Sequence, residues 1–305
     1  MNQSDPSRPL ALLIDSASLI YRAYFSASES LKAPDGMLVN AAYGFLNMLS
    51  RLVEDRDPDL LVCADDASWR PAWRVDLIDS YKAHRVGDPL EELDTQLPVI
   101  FEIVQATGIA VAAASDYEAE DVIGALIPRC PGAVEIVSGD RDLFQLVRDP
   151  EVCVLYPMRG VSQLTRVDEA YIERKYSIPG RAYGEYAVLR GDTSDGLPGV
   201  MGVGEKTAAA LIRKHGSLSA IIEAALTGDG TGALGKVRNS LDYLDCAVQV
   251  SLITADAPVG EVAMQRPSGD SNEALQQLAA RYGLTTPVNR LLNALSRPRS
   301  ASRNA

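Results

Sequence analysis

Acidic side chains recur in this chain where apolar runs stop. Asp140 and Asp142 sit in VSGDRDL (Val137 to Leu143), directly after the apolar stretch VEIVS. Asp15 closes LALLID, and Asp65 and Asp66 close LLVCADD. Glu118, Glu120 and Asp121 open YEAEDVIGAL, and Asp192 and Asp195 stand in GDTSDG. Taken singly, each group has a structural explanation. Strand-end acids cap turns, Ser115 and Glu118 fit a capping box, first-turn acids suit the helix dipole, and GDTSDG reads as an Asx turn. Taken together they say more. Several segments deliver acids to one place, and so many carboxylates repel unless a cation lies among them. Oxygen-only donors without His or Cys select hard ions such as Mg²⁺ or Mn²⁺. Two such ions ~4 Å apart suit in-line phosphodiester hydrolysis, one helping to generate hydroxide and both stabilising the transition state. On an extended backbone Asp140 and Asp142 face the same way, with Arg141 between them.

The elements that must position these acids follow from periodicity. Five short apolar runs read as strands: Leu10 to Asp15, Leu60 to Asp66, Ile109 to Ala114, Val134 to Ser138 and Val152 to Tyr156. Helical patterns separate most of them, such as SASLIYRAYFSA, NAAYGFLNMLSRLV, QLPVIFEIVQAT and SDYEAEDVIGAL. Strands alternating with helices predict an α/β fold with a mostly parallel twisted sheet covered by helices on both faces. Ligands of such sheets bind beyond the carboxyl ends of the strands, where three of the runs carry their aspartates. The stretch from about residue 69 to 94 has a mixed pattern, with both tryptophans, Lys82 and His84, and reads as an insertion over that edge. After about Ile178 the strand signal fades and helices dominate.

A glycine hairpin carries the second signal. In LPGVMGVGEKTAAALI, Gly199, Gly202 and Gly204 permit tight turns, and a helix follows. Backbone N–H groups at such a helix start can grip a phosphate, with Lys206 and Thr207 adding donors. The pattern is of helix-hairpin-helix type and fails as a P-loop, because Glu205 precedes Lys206.

Composition removes several classes. Four cysteines, none in a CxxC pair, argue against a disulfide framework or zinc site and for a reducing cytoplasm. Two histidines make a Ser-His-Asp hydrolase improbable. No apolar run nears the ~18 residues of a membrane helix, and the N-terminus lacks a signal-peptide stretch. The formal net charge of −12 argues against a general nucleic-acid coat. It does not exclude a nucleic-acid enzyme, because bound cations cancel part of a carboxylate cluster's charge.

The long motifs LLIDSASLIYRAYF, NAAYGFLNML, SYKAHR, YEAEDVIGAL, VSGDRDLFQLV and LRGDTSDGLPGVMGVGEKTA resemble, in this order, those of bacterial 5′-nucleases. That family comprises flap endonucleases and 5′-3′ exonucleases, including the 5′-nuclease domain of DNA polymerase I. No polymerase domain follows, so the chain resembles a free-standing member. The resemblance implies a PIN-like nuclease core (1–180) with a helical arch near 69–94. It further implies a helix-two-turn-helix DNA-binding region (181–250), a C-terminal helical segment (251–295) and a disordered tail (296–305).

The resemblance also implies two or three Mg²⁺ or Mn²⁺ ions on Asp15, Asp65 or Asp66, Glu118, Glu120, Asp140, Asp142, Asp192 and Asp195, with Asp121 in an outer position. Lys82 and Arg22 would neutralise the scissile phosphate. Tyr21 and Arg85 would touch DNA, and Gly202, Gly204, Lys206 and Thr207 would hold duplex backbone, with K⁺ on main-chain carbonyls of the hairpin. The expected partner is DNA (5′ flaps, nicks, 5′ ends of duplex, and RNA–DNA hybrids), the expected state a monomer, and the expected place the cytoplasm, at the nucleoid when acting on DNA. Two departures stand out. Glu120 occupies a position where polymerase I relatives commonly carry Asp, and CADDASWRPAWR differs from the usual FDAKxxTFR. Two other readings remain: a non-catalytic branched-DNA binder, and a PIN-like ribonuclease, against which the long glycine hairpin argues.

Overall fold

The computed structural model describes residues 8–87, 90–228 and 230–298. The expected disordered tail thus lies outside the described residues from 299 onward, as do residues 88 and 89 of the expected arch.

Six strands form one sheet: β1 (Leu10–Asp15), β2 (Leu60–Ala64), β3 (Ala110–Ala112), β4 (Ala133–Val137), β5 (Val152–Pro157) and β6 (Leu164–Val167), in the order β3-β2-β1-β4-β5-β6. All neighbours pair in parallel except β5 and β6. The antiparallel edge strand β6 (LTRV) was not expected. It is four residues long and only its last residue is buried, so it offers no alternation to read.

Successive residues of β1 go to opposite faces, as strand geometry requires. Ala11 and Leu13 join one apolar cluster, Leu12 and Ile14 the other. Burial on both sides is why these strands read as unbroken apolar runs.

The first helices are α1 (Ser16–Ser26), α2 (Asn40–Arg56), α3 (Ala72–Leu77), α4 (Glu91–Asp94), α5 (Leu97–Ala106) and α6 (Ala119–Leu126). α1, α2 and α5 cover one face, and α6 covers the other. The helical remainder comprises α7 (Glu169–Tyr176), α8 (Tyr183–Arg190), α9 (Glu205–His215), α10 (Leu218–Thr227), α11 (Gly232–Arg238) and α12 (Leu241–Ser251). Two helices, α13 (Glu273–Arg281) and α14 (Thr285–Leu295), close the described chain, and the apolar stripe of α14 packs against α2.

Between α12 and α13 an irregular strap crosses the core. Ile253 N donates to Gln145 Oε1 at 3.0 Å, Arg129 holds the Val259 and Gly260 carbonyls at 2.9 Å each, and Arg266 pairs with Asp57. Gly124 of α6 makes room for this strap, since a Cβ there would lie 2.8 Å from Ile253 and 2.9 Å from the Thr254 carbonyl.

Strand order reverses between β1 and β4, so the crevice lies beyond their carboxyl ends. Asp15 closes β1 there, and Ser138, Gly139 and Asp140 follow β4.

Candidate metal centre and nucleic-acid interface

Each acid reaches the crevice by a local device. Asp15 is the N-cap of α1: its Oδ1 accepts from Ser18 N at 3.1 Å, and its other oxygen accepts from Ser138 Oγ. After β4 the chain turns on side-chain bonds. Asp140 N donates to Ser138 Oγ at 2.8 Å, and Asp142 N donates to Asp140 Oδ1 at 2.9 Å. A 3₁₀ turn over Asp142–Leu146 follows.

The helix bearing Glu120 starts later than the pattern S-x-x-E suggested. Glu118 is the N-cap of α6, and its N–H donates to Asp121 Oδ2 at 3.4 Å, while Ser115 stays exposed outside the helix. Asp66 Oδ1 accepts from Ala119 N at 2.6 Å, which ties the end of β2 to the first turn of α6.

These devices bring Glu120, Asp140 and Asp142 together, with one oxygen of each within 4.8 Å of the others. The remaining acids surround this trio to different degrees. Burial pushes the Asp15 carboxyl up to about 6, with Asp140 nearby adding repulsion. Burial raises Asp66 to about 7, helped by the charges of Asp15 and Glu118. Burial also lifts Glu120 and Asp142 well above the usual carboxylate range, Glu120 with repulsion from Glu118, and Asp142 with repulsion from Asp140, Asp195 and Asp192. Asp65 is raised by burial, with no second carboxylate contributing. Of the two aspartates after β2, Asp66 is thus the one on which Asp15 and Glu118 act. Asp195 is buried and raised as well, although Lys82 opposes the shift. Asp192 instead accepts from Arg190 at 3.1 Å and from Ser194 N at 2.8 Å.

The cationic side is built around two buried residues. Lys82, 7% exposed, has a left-handed backbone (φ +48°). Its amide donates to the Asp195 carbonyl at 2.9 Å, and its Nζ pairs with Glu118. Burial alone would lower the Lys82 ammonium, but Glu118, Asp195 and Glu120 hold it above its ordinary value.

Sequence reasoning missed Arg74. It is fully buried on α3, pairs with Glu118, and lies 2.8 Å from Asp121 and 3.6 Å from Glu120. Tyr81 joins it, its hydroxyl donating to Glu118 Oε2 at 2.5 Å. Nothing in the mixed segment 69–94 marks one arginine as buried. Asp121 also accepts from Thr254 N at 3.2 Å, so it sits beneath the cluster, between Arg74 and the strap.

The segment expected as an arch consists of short helical pieces docked on GDTSDG. Ser80 Oγ donates to the Gly196 carbonyl at 2.8 Å, and Arg85 donates to the Ser194 carbonyl at 2.7 Å and pairs with Asp195 at 3.1 Å. Gly196 (φ +72°) permits this contact, since a Cβ there would lie 2.1 Å from the Ser80 carbonyl oxygen.

On the other side of the crevice Arg22 lies over Gly139, where a Cβ would stand 2.5 Å from the Arg22 Nε. Tyr21 is 54% exposed, its ring 4.7 Å from that of Phe25, so α1 presents an aromatic face to solvent beside Arg22. Gly202, Gly204, Lys206 and Thr207 lie in the helical part. Gly204 is the N-cap of α9, Lys206 is exposed and Thr207 half-buried, while Val200 and Val203 anchor the hairpin in the core.

Comparison with known proteins gives a consistent outcome. Residues 10–177 match the family described as 5′-3′ exonuclease, N-terminal resolvase-like domain, and residues 178–271 match 5′-3′ exonuclease, C-terminal SAM fold. A 5′-3′ exonuclease of Streptomyces coelicolor is 47% identical, covering 93% of this chain and 100% of that protein. DNA polymerase I of Mycobacterium bovis is 40% identical over 72% of this chain and 24% of its own length. Among solved structures, that of the T5 D15 protein co-crystallised with metal ions shares the fold, with a TM-score of 0.67 at 15% identity, covering 94% of this chain and 100% of that one. With its PIN-like α/β core, its SAM-like helical part and matches along nearly its whole length, this chain belongs to the 5′-3′ exonuclease family.

Proposed function

We propose that this protein is a Mg²⁺- or Mn²⁺-dependent, structure-specific 5′ nuclease that hydrolyses phosphodiesters of 5′-flapped, nicked or 5′-ended duplex DNA. The observation that carries this reading is the convergence of Glu120, Asp140 and Asp142 within 4.8 Å at the reversal point of the sheet. The donor set fits a hard divalent ion: every candidate ligand is a carboxylate, and burial with neighbouring negative charge raises the proton affinity of Glu120 and Asp142. Asp15, Asp66, Glu118, Glu120, Asp140, Asp142, Asp192 and Asp195 are the proposed holders of two or three ions, with Asp65 and Asp121 in supporting positions. Bound there, such ions supply Lewis acidity and an activated water.

The chain's own residues do the rest in this reading. Arg22 beside Gly139, and Lys82 between Glu118 and Asp195, offset charge on the scissile phosphate. Tyr21 offers a face for base stacking. The hairpin of Gly202 and Gly204, with Lys206 and Thr207 at the start of α9, grips duplex backbone. Arg85 would leave its Asp195 contact to reach DNA. At the hairpin, the Gly202 carbonyl accepts from Lys236 Nζ.

The protein acts as a monomer and takes RNA–DNA hybrids at the 5′ end as well. Among the described residues no helix is long and apolar enough to cross a membrane, and all four cysteines are free, which supports a cytoplasmic site of action at DNA. The test is a 5′-labelled flap duplex incubated with Mn²⁺. Cleavage near the junction is expected for wild type and is lost in Asp140→Ala; absence of cleavage by wild type, or equal cleavage by the variant, overturns the reading.

A further inference from the structure

The glycine hairpin is tied to the helical part by one long side chain. Lys236 of α11 reaches back across 34 residues, and its Nζ donates to the Gly202 carbonyl at 2.8 Å. The missing side chain at Gly202 makes this possible. Its φ is +74°, and where a Cβ would stand, Lys236 Nζ lies at 2.9 Å, Cε at 3.2 Å and Cδ at 3.5 Å. The lysine stem therefore runs along the glycine, on the exposed side of the hairpin.

Both ends of this link are fixed. On the hairpin, Val203 N donates to the Val200 carbonyl at 2.9 Å, and both valines are buried, leaving Met201 at the tip 86% exposed. On α11, Arg238 holds the carbonyls of Ala225 at 2.6 Å, Leu226 at 3.0 Å and Gly228 at 2.8 Å, which clamps the short helix to the end of α10. An ammonium delivered from a fixed helix to a fixed carbonyl forms a charge-assisted bond whose remaining ordering cost is that of the lysine side chain.

We infer that Lys236 is a tethered cation that organises the hairpin for duplex binding, so that no free monovalent ion is needed on the Gly202 carbonyl. The inference rests on the reading of the hairpin as the duplex-binding element. Its consequence is specific: affinity for duplex is indifferent to whether the salt is KCl or NaCl, and becomes sensitive to cation identity only when the lysine is removed.

The experiment measures binding of a fluorescent 5′-flap duplex by anisotropy, in EDTA, at matched ionic strengths of NaCl and KCl. Wild type, Lys236→Gln and Lys236→Met are compared, with thermal unfolding of each, so that a folding defect in one variant does not decide the result. Wild type is expected to bind within about twofold in the two salts. Both variants bind about tenfold more weakly in NaCl, the scale of a lost charge-assisted bond, and recover to within about threefold in KCl. A wild type that already prefers KCl overturns the inference. So does an equal loss in both salts with the log–log salt slope reduced by about 0.9, which marks Lys236 as a simple phosphate contact. Unchanged affinity in both salts overturns it as well. Failure of the underlying reading shows elsewhere, in Lys206→Gln binding the flap duplex as wild type does.

Discussion

Replacing Arg74 by Met should expose how the acidic cluster is held together without metal. The guanidinium is fully buried and touches three acids: Glu118, Asp121 at 2.8 Å and Glu120 at 3.6 Å. Met fills much of the stem's volume and removes the charge. Stripping one partner from a buried ion pair typically costs about 3–5 kcal/mol, because the other charge is left uncompensated. For a chain of this length that corresponds to a fall in melting temperature of about 5–8 °C.

The loss has a pH signature. Glu120 and Asp121 already have raised carboxyl pKa values with Arg74 opposing the shift, and removing it raises them further. A carboxyl whose folded-state pKa lies above its unfolded value contributes stability at low pH that is lost as pH rises through the folded value. The deficit of Arg74→Met relative to wild type therefore grows with pH above the unfolded carboxylate range and shrinks towards pH 4. Urea unfolding in EDTA across pH 4–8 measures it. A deficit below about 1 kcal/mol at pH 8, or one of the same size at pH 4, would show that Arg74 does not hold these acids together.

Further outcomes follow from the same geometry. Divalent-ion binding should release protons and weaken as pH falls through about 7 and about 6, where Asp66 and Asp15 take up protons; calorimetric titration of Mg²⁺ in buffers of different ionisation enthalpy reads the proton count. In EDTA, Asp15 alone should remove about 3 kcal/mol of stability as pH rises from below 4 to above 6, the energy equivalent of its shift, and saturating Mg²⁺ should restore part of it. Gly139→Ala should fold normally but displace Arg22, whose Nε lies 2.5 Å from the new methyl position, so single-turnover cleavage falls while duplex affinity holds. Lys82→Met should lower single-turnover cleavage about 10²–10³-fold, the range for removing one charge-stabilising donor, with duplex binding little changed.

How much of this was legible in the sequence depends on the distance between the signal and its cause. The five parallel strands could be read because burial on both faces makes each one an apolar run, and Asp15 and Asp140 stand at strand ends that the topology brings together. Strand β6 could not be read, because a short, half-exposed edge strand has no pattern. The start of α6 was displaced because Ser115 offered a plausible cap, whereas Asp66 and the pairing of Glu118 with Asp121 fix the helix one turn later. The choice between Asp65 and Asp66 rests on the direction of each side chain, which strand counting does not supply. Arg74 and Lys236 were invisible for a shared reason. Each acts on residues far along the chain, Glu118 for Arg74 and Gly202 for Lys236, and no local spacing encodes such a meeting.

The central claim is that Glu120, Asp140 and Asp142 form the core of a divalent-metal centre. Anomalous diffraction from crystals soaked in Mn²⁺ tests it most directly. At least one Mn²⁺ peak is expected within bonding distance of carboxylate oxygens of these three residues, lost in Asp140→Asn crystals. Fully occupied Mn²⁺ sites elsewhere with none at this cluster would contradict it.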